Sequence, residues 1–333
     1  MVSELRGAGL RLEALAGAVH GTLEPGRDAH ERIRWIESRG REGNIGVTWV
    51  PLDLAPILRD HLFTKVKTAV LTSATLSMDS RFDFLSARLG LDQLPIPPLT
   101  ESFPSPFDFK RQAILAIPTD TPAPNADAAG HFRAVIGMVR DFTSASDGGI
   151  FVLFTSHRDV RQAAAELRAS GMAAERPLLV HGEASRDALL AQFRESGRAV
   201  LLGTSSYWEG VDVAGHALRG LLIAKLPFRV PTEPVTAAHC EAIVERGGDP
   251  FSEYMVPHAA LRLKQGFGRL IRSGTDRGAI VIADPRVVTK GYGATLLKAL
   301  PPARRILVNW NEIARQLREF YENGDRRGAE AAE

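Results

Sequence analysis

Between residues 113 and 285 short apolar runs return repeatedly, most of them separated by stretches with helical spacing. AILAI (113–117), GIFVLF (149–154), PLLVH (177–181), AVLLG (199–203), GLLIAKLPF (220–228) and AIVIADP (279–285) read as strands. Residues 128–142, 157–170, 185–195, 235–246 and a stretch beginning at His258 read as helices. Strands that are apolar at nearly every position have no solvent face, so the sheet they build is covered on both sides. Alternation with helices makes that sheet parallel. The expected fold class is therefore α/β, a parallel sheet with helices on both faces.

In such sheets ligands gather at the carboxyl ends of the strands, where Thr155-Ser156, Thr204-Ser205 and Asp284 fall. The segment SSYWEGVDVAG (205–215) follows one of these ends. Its Gly210 permits a tight turn between Glu209 and Asp212, with Tyr207 and Trp208 alongside; an acidic surface turn with an aromatic plug is an equal reading. In HAALRLKQGFGRLIR, at 100° per residue, Leu263, Phe267, Leu270 and Ile271 fall on one arc of a helix, and Gln265, Gly268, Arg269 and Arg272 fall on the other. Guanidiniums stay charged and match phosphate oxygens in pairs, so this face suits phosphate. A solvated basic helix face is the other reading.

The first third is less regular. Residues 3–18 have leucines at helical spacing, and 27–38 read as a charged amphipathic helix. Its Asp28-Ala29-His30-Glu31 lacks the second acid of a helicase box and reads as a solvated face. After a glycine-rich break at 40–46, GVTWVPLDLAPILRDHL gives a short strand, a proline stop and a helix. Thr68–Leu71 then reads as a buried strand ending in Thr72-Ser73-Ala74-Thr75, whose hydroxyls also suit a helix cap. Prolines at 95, 97, 98, 104, 106, 118, 122 and 124 mark a domain boundary near 107. Residues 308–322 read as a packed terminal helix, and the final ten residues as fraying.

Composition narrows the classes of function. Apolar residues at 44% and charged residues at 24% describe an ordinary globular chain. No apolar run reaches the ~18 residues of a membrane span, and the N-terminus lacks a signal peptide's apolar core, so a cytoplasmic protein without membrane contact is expected. Lys and Arg number 41 against 39 acids, so net charge gives no argument for nucleic acid. One cysteine, Cys240, rules out an internal disulfide or a four-thiolate metal site. His131 and His157 have no partners at ligand spacing, His181-Gly182-Glu183 lacks the Pro-Cys-x-x-Cys of a zinc deaminase, and no metal site is expected. Neither G-x-S-x-G nor a strand followed by G-x-G-x-x-G occurs.

Taken in order, TSATL (72–76), FVLFTS (151–156), GTSSYWEGVDVAG (203–215), AKLPFRVPTEP (224–234), QGFGRLIR (265–272) and DPR (284–286) resemble the DinG/XPD family of superfamily 2 DNA helicases over about residues 45–300. In that family two RecA-like domains of P-loop-NTPase type clamp ATP between them and move 5′ to 3′ on single-stranded DNA, in repair or replication. The resemblance implies that Ser73, Ala74 and Thr75 couple ATP state to domain movement, and that Thr155, Ser156, Thr204 and Ser205 approach the DNA backbone, with Tyr207 or Trp208 stacking. Gln265, Arg269 and Arg272 then complete the nucleotide site as catalytic residues beside Gly268, while Glu209, Gly210 and Asp212 link nucleotide and strand. Tyr207 stands where the family usually has Phe.

The departures are specific. The sequence contains no G-x-x-x-x-G-K-[ST], no Gly-Lys pair, no Asp-Glu-Ala-His box and too few cysteines for the iron-sulfur cluster of many relatives. The resemblance therefore implies the C-terminal half of a helicase: a remnant of domain one with part of its helical insertion (1–106), a RecA-like domain two (107–325) and a frayed tail (326–333). ATP and Mg²⁺ are expected to be shared with an N-terminal half bearing the P-loop, single-stranded DNA is the expected partner, and the chain alone is expected not to turn over ATP. The alternative is a non-catalytic nucleic-acid-binding or partner-binding module derived from the same fold.

Overall fold

The structure, a computed structural model, describes residues 2–23, 32–39, 43–73, 76, 81–204, 207 and 217–330. The chain divides into two compact units, Met1–Glu101 with Arg229–Tyr254, and Ser102–Phe228 with Met255–Glu333.

In the first unit, helix α1 (Val2–Leu23) follows the leucine spacing. Strands β1 (Arg32–Arg39) and β2 (Asn44–Pro51) pair antiparallel, from Arg32 opposite Pro51 to Arg39 opposite Asn44. The helix expected over 27–38 is thus corrected to a strand from Arg32 on. Gly43, at φ 70°, turns the chain, and cross-strand pairs such as Trp35 with Thr48 and Ile36 with Val47 outweigh the helical spacing of the same residues. The Arg32 guanidinium lies 4.7 Å from the centre of the Trp49 ring, and Arg34 Nε donates to Gly21 O at 3.2 Å, fastening α1 to the hairpin.

Helix α2 (Ala55–Leu58) continues into a π turn, Arg59–Phe63. The buried strand expected at Thr68–Leu71 is not formed: no described strand pairs with it and Val70 is 80% exposed. A lone strand leaves its backbone groups to water, with no ladder to hold them. Helix α3 (Asp83–Leu89) ends at Gly90, whose left-handed φ of 70° closes the last turn.

The second unit is built on one seven-stranded parallel sheet. Helix α4 (Phe109–Gln112) leads into β3 (Ala113–Pro118), followed by α5 (Ala128–Ala145), β4 (Gly149–Leu153), α6 (His157–Ala169), α7 (Met172–Glu175), β5 (Leu178–Val180), α8 (Arg186–Ser196) and β6 (Val200–Gly203). Strand β7 (Leu218–Ile223) comes next, and after the insertion into the first unit the chain returns through α10 (Val256–Phe267), β8 (Gly278–Ile282), α11 (Arg286–Thr289), α12 (Gly293–Lys298), β9 (Arg304–Val308) and α13 (Trp310–Glu330). The strand order is β5-β6-β4-β7-β8-β3-β9. The sheet's alternate residues divide between two faces. On one, Ile114, Ile150, Val152, Leu202 and Val281 pack under Val139 and Phe142 of α5, Leu167 of α6 and Leu317 of α13. On the other, Phe151 meets Phe193 of α8 at 4.6 Å between ring centres. Each large side chain buried in this way contributes roughly 2 kcal/mol. Gly220 makes the approach of α5 possible, since a Cβ there would lie 2.7 Å from Phe142 Cζ.

Two boundaries differ from expectation. The strand read as 220–228 stops at Ile223, because the Leu226 amide turns away to donate to Asp284 Oδ2 at 3.0 Å. Strand β9 was not expected: it is an edge strand with exposed Arg304 and Arg305, so it lacks a continuous apolar run. Helix α13 runs into the segment expected to fray, to Glu330.

Helix α9 (Pro234–Glu245) groups with the first unit. Its His239 ring stacks on Tyr254 at 4.9 Å and 25°, and the guanidiniums of Arg88 and Arg229 lie 5.7 and 5.8 Å from the centre of the same phenol. Burial first, then those two cations, push the imidazole down to about 4. Among the described residues no helix is long and apolar enough to cross a membrane.

Candidate nucleotide and nucleic-acid interface

The sheet delivers its strand ends to one edge of the second unit. After β4, Thr155 is exposed and Ser156 caps α6, its Oγ accepting from the Asp159 amide at 3.0 Å. Asp159 in turn accepts from Lys225 Nζ, just past β7, at 2.9 Å. The Ser156 oxygen is therefore engaged by its own helix, and Thr155 presents the more accessible hydroxyl of the pair.

At the end of β6 the expected contacts turn inward. Thr204 is 6% exposed and its Oγ1 lies 3.1 Å from Nδ1 of His181, which follows β5. Tyr207 is fully buried, its ring edge-on to His181 at 4.8 Å. Gly203 admits it, since a Cβ there would come within 2.9 Å of Tyr207 Cδ2. Stacking of Tyr207 on a DNA base and direct contact of the Thr204 side chain with a strand are corrected accordingly: both side chains fill the space between strand ends. Ser205, Trp208, Glu209, Gly210 and Asp212 lie outside the described residues, as do Ala74 and Thr75 of the coupling motif. Ser73 is exposed, in the first unit.

The arginine segment departs from a simple helix. Helix α10 ends at Phe267, and Gly268 N, Arg269 N and Leu270 N turn back to Lys264 O, Gly266 O and Phe267 O at 3.0, 3.3 and 3.1 Å. Beyond the turn, Asp276 Oδ2 accepts from the amides of Arg272 and Ser273 at 2.8 and 2.9 Å, and the Gln112 amide donates to Ser273 O and Asp276 O, both at 2.8 Å. Arg269 and Arg272 are thus not one turn apart on a helix. The sorting by face holds nonetheless: Leu263, Phe267, Leu270 and Ile271 are buried, Gln265, Arg269 and Arg272 are partly exposed and Gly268 is exposed.

What fastens this loop is β8. A Cβ on Gly278 would lie 2.2 Å from Leu270 Cδ2 and 2.7 Å from Arg219 O, so Leu270 rests directly on the strand's backbone between the two arginines. Gly268, by contrast, has φ −62°, and its nearest neighbour to a built Cβ is 3.5 Å away. Among the described residues nothing demands a glycine there. The side chains of the loop offer nitrogen donors, and its carboxylate, Asp276, is already engaged by amides. The guanidiniums of this loop fit phosphate oxygens.

Asp284, read as a strand-end polar group, is wholly buried and serves the scaffold. It accepts from the Leu226 amide at 3.0 Å and forms a two-point pair with Arg286 at 2.9 and 2.6 Å. His131, read as structural, has both ring nitrogens 2.8 Å from carbonyl oxygens, those of Pro122 and Ala224. Sequence reasoning missed the roles of His181, Asp276 and Gly278. Each acts on a partner in another element, and no local spacing marks it.

The parallel sheet covered on both faces is of RecA-like type, and residues 139–303 match the family described as "Helicase C-terminal domain". The chain is 41% identical over 286 residues to the ATP-dependent DNA helicase YoaA of Escherichia coli (strain K12), spanning 85% of this chain and 42% of that protein. It is 36% identical to the 3′-5′ exonuclease DinG of Bacillus subtilis (strain 168) over 281 residues, 83% of this chain and 30% of that one. The chain is a partial C-terminal half of a DinG-family helicase. It spans less than half the length of these curated relatives. A solved XPD helicase superposes with a TM-score of 0.56 at 13% identity, covering 78% of this chain and 46% of that one, which bears on the fold.

Proposed function

We propose that this chain is the C-terminal part of an ATP-dependent 5′-3′ DNA helicase that contributes Arg269 and Arg272 to ATP held mainly by another domain and grips the backbone of single-stranded DNA through its strand ends. The pinned loop carries this reading. Leu270 and Ile271 are buried between the two arginines, so the guanidiniums are held on a rigid support, as charge neutralisation at a transferring phosphoryl group requires. Gln265 adds hydrogen-bonding capacity, and exposed Gly268, which its own surroundings do not require, leaves room for a ligand to approach. Mg²⁺ is assigned to the P-loop and acidic box of that other domain.

On the nucleic-acid side, Thr155, the amides at the start of α6 and the segment opening at Ser205 are the elements for a phosphate backbone. Ser73, Ala74 and Thr75 carry the coupling role, and Glu209, Gly210, Asp212 and Trp208 the link between nucleotide and strand. The test is equilibrium binding of the chain to oligo-dT across a salt series. Weak binding that falls with salt and is indifferent to base sequence is expected; a salt-insensitive complex, or strong preference for one sequence, contradicts it. The absence of any G-x-x-x-x-G-K-[ST] favours a second reading, a module that binds nucleic acid or a partner without hydrolysing ATP. Complementation with a P-loop-bearing half separates the two.

A further inference from the structure

Three aromatic side chains that no nucleotide or nucleic-acid role requires touch ring to ring in one row. The His157 ring, at the start of α6, is 4.5 Å from His181, and His181 is 4.8 Å from Tyr207. These residues come from the ends of β4, β5 and β6, the strands whose loops carry Thr155, Ser156, Thr204 and Ser205. His181 is the middle ring, and it adds a bond of its own, Nδ1 to Thr204 Oγ1 at 3.1 Å. The backbone repeats the tie, with His181 N donating to Leu202 O at 2.9 Å and Tyr207 N to Thr204 O at 3.0 Å.

Tyr207 itself makes no such polar tie: its phenol oxygen is buried with no hydrogen-bond partner among the described residues. Its ring is therefore held by packing against His181 and over Gly203. Burial first, then the charges of His157 and Arg186, hold the His181 imidazole below its ordinary value. A neutral ring has one donor and one acceptor nitrogen, enough for one directed bond to a hydroxyl.

We propose that His181 is a positioning residue for strand engagement: bonded to Thr204 and set between His157 and Tyr207, it fixes the ends of β4 and β6 at the spacing a nucleic-acid backbone meets. This rests on the reading of the strand ends as the single-stranded DNA interface. Thr204, buried, acts through that bond rather than by touching the strand. A pair of residues that acts through one shared hydrogen bond has a signature that general loosening lacks, since removing either partner removes the whole effect.

The test uses the whole chain with oligo-dT as probe at low salt, and thermal unfolding of every variant measured in parallel. His181→Leu and Thr204→Val are each expected to weaken binding about fivefold, the worth of one hydrogen bond. The double variant is expected to bind no more weakly than the weaker single. His181→Asn, which keeps a side-chain group able to reach Thr204 Oγ1, is expected to bind within about twofold of the parent. Multiplying losses in the double variant, or Asn failing as badly as Leu at an unchanged unfolding temperature, overturn the proposal; so does His181→Leu binding like the parent. A parent chain that does not bind oligo-dT overturns the interface reading itself and takes this proposal with it.

Discussion

At His239 burial, reinforced by two arginines, makes the first unit sensitive to acid. The folded chain holds this imidazole at about 4 against an ordinary 6.5, so the native state favours the neutral ring while the unfolded chain takes up a proton more readily. The stabilisation is fully present above pH 6.5 and is lost as pH falls toward 4, by roughly 2 kcal/mol for a partly exposed group. Urea unfolding at pH 7 and pH 4.5 is expected to differ by about that amount for the first unit, with His239→Phe, which keeps a ring on Tyr254, flattening the difference. An unchanged pH slope in that variant assigns the acid sensitivity elsewhere. Asp284 is the opposite case, a buried carboxylate with every partner in place. Asp284→Asn removes the charge facing Arg286 and is expected to lower unfolding free energy by roughly 3 kcal/mol; a loss below ~0.5 kcal/mol contradicts the role assigned to the pair.

Among elements, β8 and the loop it supports are the most exacting junction. Gly278→Ala sets a methyl against Leu270 and against Arg219 O, a backbone atom that cannot rotate away. The expected cost is about 2 kcal/mol, read by chemical unfolding, and a neutral substitution means the loop is held by Asp276 alone. The segment after the π turn is the converse. Lys65 and Lys67 are exposed in a stretch without helix or strand, so trypsin is expected to cut there before it cuts the seven-stranded unit. An early cut within 113–203 contradicts that order. Strands β3 to β8 were legible in the sequence because both faces of the sheet are covered, which leaves apolar residues at nearly every position. Strand β1, with Arg32, Arg34 and Glu37 interleaved among Ile33, Trp35 and Ile36, fits two periods equally until its partner is known. Strand β9 carries charge because it lies at the edge. In the candidate site, the exposed strand-end position of Thr155 and the burial of Leu270 and Ile271 between Arg269 and Arg272 were legible. The inward turn of Thr204 and Tyr207 was not, because it depends on His181, whose place beside them follows from strand order.

At the scale of the whole chain, near-balance of charge, 41 basic against 39 acidic residues, means that attraction for a polyanion comes from local geometry rather than from a net field. The second unit concentrates that geometry at strand ends and in one loop, and the sequence supplies no phosphate cradle of the P-loop kind. In the proposed function ATP is held mainly by a second domain, and the two arginines act on it in trans. The decisive measurement is DNA-stimulated ATP hydrolysis by this chain combined with a P-loop-bearing N-terminal half from the same family, comparing the parent with Arg269→Lys and Arg272→Lys and monitoring oligo-dT affinity throughout. Lys keeps the charge and loses the paired donors, and an arginine finger contributes roughly 10³ to 10⁵ in rate in the strongest cases. The account predicts no hydrolysis by the chain alone, hydrolysis by the pair, and a drop of at least about tenfold for each Lys variant with DNA affinity unchanged. Hydrolysis within about twofold of the parent for both variants contradicts it and leaves the loop as a charged surface.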